Sequence, residues 1–250
     1  MIHDAVILAA GKGSRLRGSD DDLPKPLYTV GGIPMIQRTI LTLARAGVKR
    51  VVVVTGFMAD RITATLESEP AYAAAGVTVE PVYNPEFEKS NGISVLVGGR
   101  AAGGPFVLSM ADHIYTVGIA KTVAGCDLSA ADLYLATDPR VDTILDIDDA
   151  TKVRTEGGAI VEIGKTLTTY DRIDCGVFAV TPALLDALTE ARAASPNDDC
   201  SLSNGVQRLA ARRRARVVDI GAEVWQDVDT PADREHAQQV IAGRDPLASS

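Results

Sequence analysis

Cysteine, histidine and aromatic residues are scarce in this 250-residue chain, which has three Cys, three His and 4% aromatics. Cys126, Cys175 and Cys200 are irregularly spaced and form no C-x-x-C pair, so a zinc ribbon or a dithiol redox centre is not expected. Unpaired thiols fit a reducing, cytoplasmic setting. His3, His113 and His236 are too few and too scattered for a metal cage and read as packing, hydrogen-bonding or surface residues. Basic charge is in deficit too. With 25 Lys and Arg against 33 Asp and Glu the net charge is −8, which argues against a sequence-independent grip on nucleic acid or an anionic membrane. No apolar stretch approaches a membrane span, and the run Ala5 to Ala10 is too short for a signal-peptide core. The terminal Ser249-Ser250 lacks a lipidation cysteine. No membrane insertion is expected, and no repeat or low-complexity segment stands out.

What is present is an alternation of apolar runs and helical spacing. Ala5-Val6-Ile7-Leu8-Ala9 predicts a buried strand broken by Gly11-Lys12-Gly13-Ser14-Arg15. Ile36, Ile40, Leu43 and Ala44 are spaced as a helix closing at Gly47, before a second buried strand at Val51 to Val54. A helix near Met58 to Leu66, a strand at Val77 to Val82 and another at Phe106 to Met110 continue the pattern. Such alternation predicts a doubly wound, mostly parallel α/β sheet with ligands at the carboxyl ends of its strands. After Asp127 short strand-like pieces such as Leu133 to Ala136 and Ala159 to Ile163 suggest an inserted or appended β-rich layer. Helices return at Pro182 to Ala193 and Asn204 to Arg212, with a late strand at Val224 to Asp227 and a last helix from Pro231. One domain is expected over 1–250, divided into a nucleotide-binding part (1–126), a β-rich acceptor-binding part (127–181) and closing helices with the late strand (182–250).

Gly11-x-Gly13 after a strand invites a dinucleotide-binding reading, but the third glycine of that motif falls on Leu16 and no acidic residue follows the second strand. Gly164-Lys165-Thr166 imitates a P-loop, yet its first glycine would be Ala159. Both readings fail. The loop still concentrates Lys12, Arg15, Arg17 and Lys25 in an acidic protein. Small residues at Ala9, Ala10, Gly11 and Gly13 let backbone N–H groups approach phosphate oxygens, and the cations add charge. Asp20-Asp21-Asp22 reads as a solvated tip.

Leu8-Ala9-Ala10-Gly11-Lys12-Gly13-Ser14-Arg15-Leu16, followed by Pro24-Lys25-Pro26-Leu27, resembles the signature of the sugar-phosphate nucleotidylyltransferases. Within that superfamily Ser109 to Tyr115, Ile163-Gly164-Lys165 and Ile173 to Phe178 resemble the inositol-1-phosphate cytidylyltransferase branch. The resemblance implies transfer of a cytidylyl group from CTP to inositol 1-phosphate, assisted by Mg²⁺. Nucleotide transfer to a phosphate ester needs no general base, because a phosphate monoester with its second pKa near ~6 is already largely dianionic. This suits a chain without a Ser-His-Asp or Cys-His constellation.

The site expected on these grounds has Arg15 and Lys25 as catalytic cations, with Leu8, Ala9, Ala10, Gly11, Lys12, Gly13 and Ser14 forming the nucleotide loop. Asn84, Ser90 and Asn91 stand at the ligand edge as further nucleotide contacts, and they also make ordinary turn and cap sense. Asp112 follows a buried strand and is a metal-ligand candidate, the plainer reading being a helix cap. Asp227 and Asp229 fall on one face at a period of two, and the family resemblance favours Asp227, by its place after Trp225, as the second ligand, with Asp229 as the alternative. Lys165 and Asp174 resemble family positions that hold the acceptor, and Asp138, Asp142 and Asp171 are further polyol candidates or loop residues. Other acceptors, phosphocholine or a hexose 1-phosphate, remain alternatives, as does a nucleotide sensor without chemistry. Loss of Lys25 is expected to lower turnover far more than folding.

Overall fold

The computed structural model describes residues 1–13, 16, 23–144 and 146–241. In chain order the first half runs β1 (Asp4–Ala9), β2 (Thr29–Val30), β3 (Ile33–Pro34), α1 (Met35–Arg45), β4 (Arg50–Thr55), α2 (Ala59–Glu67), α3 (Pro70–Ala74), β5 (Thr78–Tyr83), α4 (Asn91–Ala102) and β6 (Phe106–Met110). It continues through β7 (His113–Tyr115), α5 (Val117–Ala124), β8 (Leu133–Asp138), β9 (Lys152–Glu156), β10 (Ala159–Gly164) and β11 (Arg172–Val180). The last elements are α6 (Ala183–Ala194), α7 (Leu202–Ala211), β12 (Ala215–Asp219), β13 (Trp225–Asp227) and α8 (Pro231–Ile241).

Nine strands form one sheet in the order β5-β4-β1-β6-β11-β8-β12-β10-β9. The first four are parallel, as the continuous apolar runs require of strands covered on both faces. Alternate residues of β1 serve opposite cores. Ala5, Ile7 and Ala9 pack with α1 and α5 residues such as Ile36, Ile40 and Ile119, while Val6 packs with Ile93 and Leu96 of α4 and Leu184 of α6. The α/β class and its crossovers are those read from the periodicity.

The β-rich segment takes a different place from the one its composition suggested. It is not a separate layer, because β8, β9, β10 and β11 all belong to the central sheet. The joint is β11, which runs antiparallel to both β6 and β8. Its pairing with β8 shifts register between Asp174 and Phe178, a bulge that re-aims the strand where it reaches the ligand edge. Asp112 likewise caps no helix, since the short strand β7 follows it and pairs with the distant strand β13.

A third cluster of Leu16, Tyr28, Val30, Met35, Ile114, Val228, Ala237 and Ile241 holds α8 against the N-terminal segment. Arg234 reinforces it by donating from Nε to the Thr29 carbonyl at 2.6 Å. This contact brings the segment after β13 to the glycine loop. No described helix is long and apolar enough to cross a membrane.

Phe178 is fully buried on β11, opposite Leu108 of β6 and Leu135 of β8. Phe178→Ala should therefore cost about 3–5 kcal/mol. Because one sheet spans both halves, urea denaturation should show a single transition, with Trp225 fluorescence and far-ultraviolet circular dichroism shifting together.

Candidate active site

The carboxyl ends of β1, β4, β5 and β6 lie along one edge, where Ala9 pairs with Thr55 and Leu8 with Met110. Beyond Ala9 the chain turns at Gly11 and Gly13. The latter has φ of +56°, and a Cβ there would fall 2.5 Å from the Cβ of Lys25. Glycine is thus needed both for the left-handed turn and for the close approach of the lysine stem. Lys25 opens a 3-10 turn, Lys25–Leu27, preceded by Pro24 with Pro26 inside it, so its backbone direction is set by two prolines.

Lys25 is only 6% exposed. Its Nζ donates to Asp112 Oδ2 at 2.7 Å and to Asp229 Oδ1 at 2.5 Å. Burial disfavours the ammonium, but the two carboxylates outweigh it and hold the Lys25 pKa above the ordinary lysine value. Asp112 shows the matching shift. Burial opposes its ionisation, while Lys25 and the Asp112–His113 hydrogen bond hold it below the usual carboxylate range.

Asp229 reaches Lys25 because the helix start does not consume its carboxylate. Thr230 Oγ1 accepts from the Asp233 amide, while Asp233 Oδ2 accepts from the Asp229 and Thr230 amides, so the cap of α8 is complete without it. Asp227 lies across the ribbon from His113. Burial raises its pKa, and crowding by Asp229 and Asp112 adds to that against the opposing pull of His113.

Two cavities, each of about 270 Å³, meet at this cluster. The first is lined by Leu8, Ala9, Gly11, Gly13 and Lys25, and the second by His113, Asp146, Asp149, Lys165, Asp174 and Asp227; Asp112 and Asp229 line both. In the second, burial pushes the Asp174 carboxyl up to about 6, partly offset by the Gly176 amide and by His113. Lys165 lies at the rim with Nζ 2.7 Å from Asp149 Oδ1.

The structure thus brings Leu8, Ala9, Gly11, Gly13, Lys25, Asp112 and Asp229 to one cavity, and Asp227, Lys165 and Asp174 to the adjoining one. Ser14 and Arg15 lie outside the described residues. Buried Ala10 gives its carbonyl to the Phe57 amide. Lys12 reaches across to Glu88 at 2.5 Å. Asn84 is buried and occupied, donating to Ser94 Oγ and accepting the Glu86 amide. Ser90 donates to Asp199, and Asn91 Oδ1 accepts the Leu202 amide, so both tie the start of α4 to the 199–202 segment. Asn91 still lines the second cavity. Asp138 and Asp171 are bound by Arg140 and by Thr155, and exposed Asp142 lines neither cavity.

Sequence reasoning passed over Lys152, Asp146, Asp149 and Trp225. Lys152 is 7% exposed and donates to the carbonyls of Asp148, Ala150 and Lys165, which fixes the floor of the acceptor-side loop. Its position at the head of β9, after an Asp-rich turn, was the available signal.

Among the described residues no three His, Cys, Asp or Glu side chains converge as a ready metal cage. The donor set nevertheless fits a hard divalent cation, since Asp112 and Asp229 turn carboxylate oxygens to one shared point of positive charge. Mg²⁺ is commonly held by one or two carboxylates, with phosphate oxygens and water completing its shell.

Burial between two carboxylates gives Lys25 a part in stability beside the role its motif implies. Lys25→Met should lower the stability of the metal-free protein by about 1.5–3 kcal/mol, measured by urea titration. The raised Asp174 carboxyl makes a second prediction. Its ionised form is penalised in the folded state, so its contribution is neutral at low pH and becomes unfavourable as pH rises from the unfolded value near 4 through about 6. Asp174→Asn should therefore gain stability over wild type across that window and hold the gain, about 2 kcal/mol, above it.

A family model for the MobA-like NTP transferase domain matches residues 5–140. The bifunctional IPC transferase and DIPP synthase of Rubrobacter xylanophilus is 35% identical over 242 residues, covering 96% of this chain and 52% of that protein. The chain thus spans about half the length of the curated relatives it matches at 31–35% identity. The CMP-5'-(3-aminopropyl)phosphonate synthase of Streptomyces rubellomurinus is 29% identical, covering 93% of this chain and 38% of that protein. Among solved structures, the inositol-1-phosphate CTP transferase from T. maritima superposes with a TM-score of 0.82 at 28% identity, covering 97% of both chains. The resemblance seen in the glycine loop is borne out by these matches, and with more than half of its length under the family model the chain belongs to the MobA-like NTP transferase family.

Proposed function

We propose that the chain joins CTP and inositol 1-phosphate to give CDP-inositol and pyrophosphate. The observation that carries this reading is the meeting of two cavities at Asp112 and Asp229, one against the glycine loop and one among hydroxyl-binding carboxylates. The names of the Rubrobacter and T. maritima proteins support the choice of CTP and inositol phosphate.

In this reading the triphosphate lies along Gly11 and Gly13, whose backbone N–H groups face its oxygens. An oxygen of the acceptor phosphate attacks the α-phosphorus in line, forming one P–O bond as the bond to the pyrophosphate oxygen breaks. No proton need be removed from the acceptor. The obstacle is repulsion between two anions, so fixed positive charge is the main contribution of the protein. Lys25 supplies it at the junction of the cavities, and Arg15 from the loop is assigned the same work by the motif. A divalent ion, proposed as Mg²⁺, would be held by Asp112 and Asp229 and would neutralise charge on the phosphates. The family resemblance favoured Asp227 with Asp229 as the alternative; the Lys25 contact supports Asp229, leaving Asp227 as a neighbouring charge.

On the acceptor side Asp174 and Asp149 accept hydrogen bonds from ring hydroxyls, and Lys165 turns from Asp149 to the 1-phosphate. A second reading rests on the same lining. Asp146, Asp149, Asp174 and Asp227, with Lys165 the one Lys or Arg among the described lining residues, also suit an acceptor bearing an ammonium group, the class named in the Streptomyces relative. Three free thiols among the described residues support a cytoplasmic setting.

Pyrophosphate release with CTP and a panel of inositol 1-phosphate, glucose 1-phosphate, phosphocholine and 3-aminopropylphosphonate tests the proposal. Inositol 1-phosphate should be turned over fastest, and faster turnover of an amine would transfer the assignment to the second reading. CTP binding with no release from any of them would mark a sensor. Asp229→Asn should lose far more activity at moderate Mg²⁺ than Asp227→Asn. Lys165→Ala should raise the KM for the acceptor about 10- to 100-fold with little change in CTP binding.

A further inference from the structure

The ribbon of β7 and β13 carries side chains that the proposed reaction leaves without a task. In its register His113 faces Asp227 and Tyr115 faces Trp225, which makes Trp225 the diagonal neighbour of His113 on one face. The two rings stack with centroids 5.9 Å apart and planes 11° from parallel. The indole is itself held, because Nε1–H donates to Asp138 Oδ2 at 3.1 Å. Asp138 is 3% exposed and gripped by Arg140 through Nε and Nη2, each at 2.8 Å. On the far edge of the imidazole lies Gly176, with φ of +74°. A Cβ there would come within 2.4 Å of His113 Cδ2 and 2.7 Å of Nε2, so only glycine leaves room for the ring.

Held this way, the ring points Nδ1 at Asp112 Oδ1, 3.0 Å away. An ionised carboxylate can only accept, so Nδ1 carries the proton. The other oxygen of Asp112 goes to Lys25. We propose that His113 is a positioning residue: locked between Trp225 and Gly176, it occupies Oδ1 of Asp112 and leaves Oδ2 as the oxygen turned toward the cation. The inference rests on reading Asp112 as a metal ligand. It gives a reason that carboxylate would offer one oxygen to a divalent ion, and it names the outer partner that would orient it. The column also reaches the acceptor side, since the Gly176 amide donates to Asp174 Oδ1 at 2.7 Å. The groups that fix His113 therefore touch both halves of the site.

Mn²⁺ titration of the nucleotide-free protein, followed by electron paramagnetic resonance, separates the two readings. Asp112→Asn should weaken Mn²⁺ binding strongly. His113→Phe, which keeps an aromatic face and removes the donor, should weaken it about 10- to 100-fold. His113→Asn should stay within about threefold of wild type, because its amide N–H can take the place of Nδ1–H. If Asp112→Asn weakens binding and His113→Phe does not, the positioning role is overturned. If Asp112→Asn leaves binding unchanged, the metal reading falls first. Should His113→Phe fail to fold, ¹⁵N spectra of the wild type decide the matter. A protected Nδ1–H resonance that vanishes in Asp112→Asn is expected, and a His113 protonated on Nε2 alone overturns the proposal.

Discussion

One buried ammonium holds this site together. Lys25 binds Asp112 and Asp229, residues 87 and 204 positions away in sequence, and thereby ties the glycine loop, the end of β6 and the start of α8 to one point. The geometry around it follows from that constraint. Two prolines set the direction of the lysine backbone, Gly13 gives its stem room, and the Thr230–Asp233 cap spares the Asp229 carboxylate. Two carboxylates from distant parts of the chain converge on this one cation, which places both donors where a divalent ion could reach them together. The same ion pair thus stabilises the metal-free fold and prepares the site for charge it has not yet met.

The second organising element is the antiparallel strand in the middle of the sheet. Because β11 pairs with β6 on one side and β8 on the other, the acceptor-side residues belong to the same rigid sheet as the nucleotide loop. Asp174 and Gly176 sit where that strand bulges at the ligand edge, so the two cavities are registered by sheet hydrogen bonds. The in-line transfer proposed for this site would tolerate little misplacement between nucleophile and phosphorus, and a shared sheet would supply that rigidity more directly than a hinge between domains.

Much of the nucleotide half was legible in sequence because its signals are local. Buried parallel strands read as unbroken apolar runs at Ala5 to Ala9 and Val51 to Val54, and the small residues of the loop state their own purpose. The β-rich half was not, and the reason is physical. The pattern of β11 is interrupted by Asp174 and Gly176, so this central strand lacks the unbroken apolar run that marked β1 and β4. Partnerships across 87 or 204 residues leave no local trace, so a period of two left Asp227 and Asp229 equivalent and only the family resemblance favoured Asp227. His113 and Trp225 were hidden for the same reason. Their meaning lies in a cross-strand diagonal and a missing Cβ, neither of which a single chain segment can display.

Electrostatics sets the last constraint on how the two substrates are received. In the proposed reaction both are anions while the protein carries a net charge of −8, so attraction would have to be local. On the nucleotide side Lys25 is shielded by its own carboxylates, and Lys12 reaches Glu88; on the acceptor side Lys165 is held by Asp149. Each of these cations must change partner to meet a phosphate, so binding an anion here is an exchange of ion pairs. The exposed pairs at Lys12 and Lys165 are weak and easily traded. The buried pairs at Lys25 are not, and they yield only when other positive charge takes over Asp112 and Asp229. A divalent ion held by Asp112 and Asp229 would supply the positive charge these carboxylates lose if Lys25 turned to a phosphate, so one side chain would couple the two proposed binding events.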